Sequence, residues 1–280
     1  MPKLNLDHIE FYITNVCNLS CQNCRSFNNY KFSGHYTYNQ KLTQAWSDKL
    51  DIADIAIIGG EPAFHPDLAS WIVGLRKCWP NATLKLISNG TKLSLVKNLH
   101  KLLADNNCKL NISTHGYHLR PQIAEEIFSA FGACEVLPIE SSKLFGVVNN
   151  VYFRTKLGVI IDLQNGNSLQ EICFVDDQFN LYNSDAEKAH STCAIRECHH
   201  MIDYKIYKCS IVGLLPSFLK QQKQTTDHLL PYHGIDVESV TQDVLDQLKS
   251  SMPHCKICPE VNDYKPITSV LKKMHRVQKG

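Results

Sequence analysis

Hydrophobic positions follow two alternating rhythms along roughly the first 165 residues. Short apolar runs at Ile9–Thr14, Ile52–Ile58, Thr83–Ile87, Lys109–Ser113, Cys134–Ile139 and Gly158–Leu163 read as strands. Between them, Tyr38–Leu50, Pro66–Cys78, Ser94–Asn106 and Pro121–Phe131 read as helices. Leu95, Leu99, Leu102 and Leu103 fall at helical spacing in the third of these. Pro121 stands near the start of the fourth, where a missing N–H costs nothing. The alternation predicts parallel strands joined by right-handed helical crossovers. Polar and glycine-bearing breaks follow the strands, so in a barrel they would gather on one face. Six units are too few to close an eight-stranded barrel. The expected fold is therefore α/β, a partial (β/α)6 TIM-like barrel over residues 1–168 with an open side.

Beyond Gln164–Ser168 the pattern changes. Short strand-like pieces at Glu171–Val175, Phe179–Tyr182 and Lys205–Lys208 alternate with polar turns, and cysteines become dense. This predicts a second, smaller α+β domain over residues 169–280.

The net charge of +2 and the lack of any long basic block give no electrostatic reason to expect nucleic acid or a membrane as partner. No signal-peptide core or transmembrane-length apolar run is visible, so a cytoplasmic location is expected. Twelve cysteines in a reducing compartment point to metal or redox chemistry before disulfides.

Cys17, Cys21 and Cys24 form C-x-x-x-C-x-x-C directly after the first strand-like run. Three thiolates on one loop can hold three corners of a cubane iron–sulfur cluster. No fourth cysteine follows until Cys78, which leaves the fourth iron open to a small molecule. Zinc would want a fourth protein ligand, and three unrelated buried thiols are the plainer alternative. Cys78, Cys108, Cys134 and Cys173 lie in or beside apolar stretches and read as buried thiols.

The cysteine triad, the segment Gly59-Gly60-Glu61-Pro62 and the predicted partial barrel together resemble the radical S-adenosylmethionine superfamily over residues 8–165. The resemblance implies that Cys17, Cys21 and Cys24 ligate a [4Fe–4S] cluster whose open iron chelates S-adenosylmethionine. Reductive cleavage of that cofactor would give a 5′-deoxyadenosyl radical, which takes a hydrogen atom from substrate. It implies that Gly59, Gly60, Glu61 and Pro62 meet the methionine amino group, with Glu61 as an acceptor for the ammonium. Ser88, Asn89 and Ser113, at the ends of the third and fourth strands, would touch the adenosyl part. The position before the third cysteine is usually aromatic but here is Asn23, with Phe27 or Tyr30 as candidate replacements. His115 is a candidate proton acceptor or polar substrate contact.

Cys255-Lys256-Ile257-Cys258 offers two further thiolates, and Cys193, Cys198 and Cys209 lie upstream. These resemble the twitch domain, a reduced SPASM domain that binds an auxiliary [4Fe–4S] cluster. The resemblance implies Cys209, Cys255 and Cys258 as ligands, with Cys198 or Cys193 as the fourth and Cys198 at the preferred spacing. The usual glycine five residues before the hairpin cysteine is replaced by Tyr204.

The expectation is thus a two-cluster enzyme that oxidatively modifies a peptide or a small molecule, with an electron donor such as flavodoxin or ferredoxin. The eight residues before Ile9 leave no room for a peptide-docking domain there, which favours a compact substrate or a peptide delivered by another protein. Zinc in the second domain, or an iron–sulfur electron-transfer or binding protein without radical chemistry, are the alternatives.

Overall fold

The computed structural model describes residues 2–28, 30–137, 150–164, 168–170, 173, 174, 176, 178–260, 264–266 and 269–271. Its parallel frame consists of β1 (Leu4–Tyr12), β3 (Leu50–Ile58), β4 (Thr83–Ser88), β5 (Cys108–Ser113) and β8 (Ile160–Gln164). A short β2 (Leu19–Cys21) lies outside that sheet. Helices α1 (Gln40–Lys49), α2 (Leu68–Cys78), α3 (Leu99–Asp105) and α4 (Arg120–Phe131) follow in the same order.

Local chemistry sets the helix ends. The Asn39 side chain accepts from the Lys41 and Leu42 amides, and Asp67 accepts from Ser70 N. Gly132, with φ of 71°, stops α4. The third helix is shorter than its leucine spacing predicts. Leu93–Leu95 forms a separate 3-10 turn, and Asn98 sits in the left-handed region with φ of 56°, so α3 starts only at Leu99.

Among the described residues one sheet has the order β11-β10-β1-β3-β4-β5-β8-β7-β6. The five frame strands are parallel, with Ile55 opposite Leu84, Leu86 opposite Leu110 and Ile112 opposite Leu163. Cys134–Ile139 does not supply the fifth parallel strand. Only β6 (Glu135–Val136) forms there, antiparallel to β7 (Val151–Arg154) at the outer edge, while β8 pairs directly with β5. Glu135 and Val136 are both exposed, which suits an edge and not a sheet interior. Pro138 and Ile139 lie outside the described residues.

The sheet continues past the expected domain boundary. β10 (His200–Ile202) runs parallel to β1, and β11 (Lys205–Tyr207) returns antiparallel to it. Of the other pieces expected there, Phe174 and Leu181 meet in an isolated antiparallel bridge, and Glu171 and Val175 lie outside the described residues. β9 (Ser168–Gln170) pairs with β12 (Tyr264–Pro266), and β13 (Ser269–Leu271) pairs antiparallel with β2.

The hairpin between β10 and β11 turns without glycine. Asp203 and Tyr204 both have positive φ, 48° and 60°. Two left-handed non-glycine residues cost roughly 1–2 kcal/mol each. Tyr204 has offsetting contacts: its ring stacks on Trp71 at 5.9 Å and its carbonyl accepts from Trp46 Nε1 at 2.9 Å.

Side-chain alternation gives the sheet two unlike faces. Ile9, Phe11, Ile55, Ile57, Leu84, Leu86, Leu110 and Ile112 pack with Trp46, Trp71, Ile72 and Leu103 from the helices. The other face carries His8, Glu10, Asp54 and Lys85 in linked ion pairs. A second core gathers Phe27, Phe32, Cys173, Ile202 and Phe218, the last from the helix Ser210–Gln221.

Candidate functional site

The chain leaves β1 at Tyr12 and reaches the first cysteine through Thr14 and Val16. The loop after β3 docks on that stretch: Gly60 N donates to Thr14 O and Glu61 N to Val16 O, both at 2.7 Å. A Cβ on Gly59 would meet Thr14 O at 2.6 Å, and one on Gly60 would collide with the Val16 carbonyl. These glycines are therefore required by backbone packing of one loop on the other.

Cys17, Cys21 and Cys24 line one cleft of about 210 Å³ together with Gly59, Gly60, Ser88, Asn89, Ser113 and His115. Every one of these follows or ends a parallel strand, where such folds collect their chemistry. Donors are aimed at the first thiol: Leu19 N lies 3.4 Å and Asn89 Nδ2 3.8 Å from Cys17 Sγ. Asn89 is itself fixed. Its Nδ2 donates to Asn18 Oδ1 at 3.0 Å and its Oδ1 accepts from Thr91 Oγ1 at 2.7 Å. Asn18 Nδ2 closes the ring onto Thr91 Oγ1 at 2.8 Å. Asn18 and Thr91 are buried and were not singled out in the sequence. Their only signal is polar character at a loop position beside the motif.

Glu61 departs from its expected role as an open acceptor. Its side chain is fully buried and is not on the cleft surface. Oε1 accepts from Ala63 N at 3.0 Å and Ser88 Oγ at 2.8 Å, and Oε2 accepts from Asn89 N at 2.6 Å. Burial raises its pKa against the pull of these donors. Glu61 braces the ends of β3 and β4. Pro62 opens the 3-10 turn that Glu61 caps and is buried behind the cleft. His115 is half-buried in the cleft wall, and desolvation pushes its pKa down to about 4, so it is neutral near pH 7.

Asn23 adopts φ of 62°, which Asn tolerates better than an aromatic residue would. Phe27 also has positive φ, 57°, and is fully buried, stacked on Phe218 at 4.6 Å. Tyr30 packs against Phe174, Phe179 and Phe218. Neither aromatic lines the cleft; both belong to the second core.

The C-terminal cysteines gather separately. Cys193, Cys209, Cys255 and Cys258 line one small cavity of about 30 Å³. Burial raises the pKa of Cys258 well above the usual thiol range, and the neighbouring Cys173, Cys209, Cys193 and Cys255 add to it. Cys198, the residue at the preferred spacing, is not in this group. It lies near His8 and Glu10 on the polar sheet face. Residue 198 lies two positions before β10, and its side chain does not line the cavity, although Ile195 and Arg196 do. Lys208 also lines the cavity and is buried, with Nζ donating to Arg196 O at 3.0 Å and to Leu248 O. Burial lowers its pKa while the thiols of Cys255, Cys209 and Cys193 oppose that shift. A buried cation is thus available to offset thiolate charge. Cys78, Cys108 and Cys173 are buried free thiols, and Cys134 is half-buried. His199 and His200 are buried too, His199 Nδ1 against Lys208 O at 3.1 Å.

Among the described residues no helix is long and apolar enough to cross a membrane. No family model and no curated protein matches the chain. Solved structures do. BtrN in complex with AdoMet and 2-DOIA superposes with a TM-score of 0.53 at 16% identity, covering 92% of this chain and 94% of that one. BtrN in an open conformation gives 0.46 at 15% identity over the same shares. SuiB from Streptococcus suis bound to S-adenosylmethionine gives 0.32 at 16% identity over 39% of this chain and 25% of that one. The likeness to the BtrN complex spans nearly the whole of both chains and shows that this chain shares the fold of that protein.

Proposed function

We propose that the protein is a radical S-adenosylmethionine enzyme with a second metal centre in its C-terminal half. The observation that carries this reading is the meeting of Cys17, Cys21 and Cys24 with the ends of β3, β4 and β5 in one cleft. The donor set fits a cubane cluster with three protein ligands and one open iron. When bound there, the cluster and S-adenosylmethionine supply a 5′-deoxyadenosyl radical that abstracts hydrogen from a substrate.

The chain's own residues have distinct tasks in this reading. Leu19 N and Asn89 Nδ2 are directed at the Cys17 sulfur, where donors tune a cluster's potential. Ser88, Asn89 and Ser113 offer polar contacts to the adenosyl group, and Gly59–Gly60 presents backbone to the amino-acid end. Glu61 keeps these strand ends in register. His115, held neutral by desolvation, offers a polar contact to substrate. Arg25, also in the cleft wall, supplies a positive charge there.

For the second centre, Cys193, Cys209, Cys255 and Cys258 are the proposed ligands, with Cys193 in the place expected for Cys198. Four thiols around one cavity suit an auxiliary [4Fe–4S] cluster, with Lys208 balancing charge. The cavity's small size equally suits a single zinc ion. The cluster reading implies an outside electron donor such as flavodoxin or ferredoxin, and an oxidative change in a small molecule or peptide.

The test is anaerobic incubation of reconstituted protein with S-adenosylmethionine and dithionite. Formation of 5′-deoxyadenosine is expected, and its absence from fully loaded protein would leave a binding or electron-transfer role instead. Metal analysis separates the two readings of the second centre: about eight irons per chain for two cubanes, or about four irons and one zinc.

A further inference from the structure

The polar face of the sheet contains a donor set that neither proposed centre uses. Donor atoms of His8, Glu10 and Cys198 all lie within 4.8 Å of one another. His8 and Glu10 share one face of β1, two residues apart, and Cys198 stands just before β10, the strand beside it. His8 Nε2 and Glu10 Oε1 are 3.5 Å apart, long for a hydrogen bond. Ligands on tetrahedral zinc, at about 2.0–2.3 Å from the metal, sit about 3.3–3.8 Å from each other.

Each donor is also oriented from behind. Asp54 Oδ2 lies 2.9 Å from His8 Nδ1 and fixes the ring with Nε2 facing Glu10, where a metal would displace the proton that these carboxylates hold on the imidazole. Lys85 Nζ holds that same Asp54 oxygen at 2.6 Å. His200 Nε2 contacts the other Glu10 oxygen at 2.8 Å, and His200 Nδ1 lies 3.1 Å from the Cys198 carbonyl oxygen. A carboxylate behind a ligating histidine is the usual outer partner of a metal site. Access exists as well: His8 lines a cavity of about 250 Å³ with Asp7, Glu197, His199 and Lys249.

We propose that His8, Glu10 and Cys198 bind one zinc ion, with the fourth position open to water from that cavity. One carboxylate and one thiolate neutralise the dication, and a mixed nitrogen, oxygen and sulfur set suits this borderline metal. The ion joins β1 to the start of β10. The site does not depend on the radical reading, since none of its residues lines the cysteine cleft.

The test uses cluster-loaded full-length protein, supplied with zinc under anaerobic conditions and freed of excess. Zinc-edge X-ray absorption is blind to the iron. The expected result is about one zinc per chain with a single sulfur neighbour and the remainder nitrogen or oxygen. Cys198→Ser removes the sulfur signal or the zinc, and Asp54→Asn weakens zinc binding about 10–100-fold. The wild-type spectrum is decisive even if a variant folds poorly. Protein that retains no zinc overturns the proposal. So does zinc surrounded by four sulfurs, which would place it at Cys193, Cys209, Cys255 and Cys258.

Discussion

The two cysteine-lined spaces differ in number of thiols and in size. The N-terminal cleft has three cysteines, about 210 Å³, and walls of glycine, serine, asparagine and histidine. The C-terminal cavity has four cysteines in about 30 Å³, beside a buried lysine. Under the proposed reading, three thiols with room beside them would leave one position for a bound molecule. In the same reading, four thiols with little space beside them would hold their contents unchanged. The same distinction separates catalytic from structural zinc sites. Ligand count alone, legible in a sequence, does not make this distinction; the space around the ligands does.

The sharpest way to break the comparison is Cys21→Ala. It should abolish 5′-deoxyadenosine formation while leaving the second centre's metal in place, measured by product chromatography and metal analysis. Cys258→Ala should do the converse, lowering iron from about eight to about four per chain under the two-cluster reading. Some uncoupled cofactor cleavage should survive. Cys193→Ala should behave like Cys258→Ala, whereas Cys198→Ala should keep the full iron content. If Cys198→Ala loses the iron and Cys193→Ala does not, the assignment of the second centre is wrong.

Smaller effects test the walls. Glu61→Gln places an amide where the carboxylate accepts from Ser88 and Asn89, and should destabilise the fold by about 2 kcal/mol in denaturant titration. His115 gives a pH signature. Its folded pKa is about 4, against 6.5 for the free side chain, so the unfolded chain binds the proton first as pH falls. Stability should therefore drop between pH 6.5 and 4, by on the order of 2–3 kcal/mol. His115→Gln should flatten that dependence. The mildest change is Asp203→Gly in the β10–β11 turn, expected to raise stability by about 0.5–1 kcal/mol through relief of its positive φ.

Much of the frame was legible because the alternation in β1, β3, β4 and β5 serves one buried face, and such patterns survive in a single sequence. That the three cysteines would meet was legible for a similar reason: they lie close together on one loop, and the structure brings them to one cleft. What could not be read depends on partners far away in the chain. Cys134–Ile139 looks like a strand until β8 takes the place beside β5. Cys198 has the better spacing than Cys193, but beside the pairing of β10 with β1 its sulfur lies next to His8 and Glu10 and does not line the cavity of the other cysteines. Phe27 looks like a cofactor platform until Phe218 stacks on it. Tyr204 fills a glycine position because Trp71 and Trp46 stabilise a turn that backbone preference alone would disfavour.

The docking of β10 along β1 has a practical consequence. Cutting the chain at residue 168 would strip β1 of its neighbour and leave a row of unsatisfied main-chain groups at the rim. Such a fragment would recruit copies of itself through that bare strand, so truncation would give aggregates and not a smaller working protein.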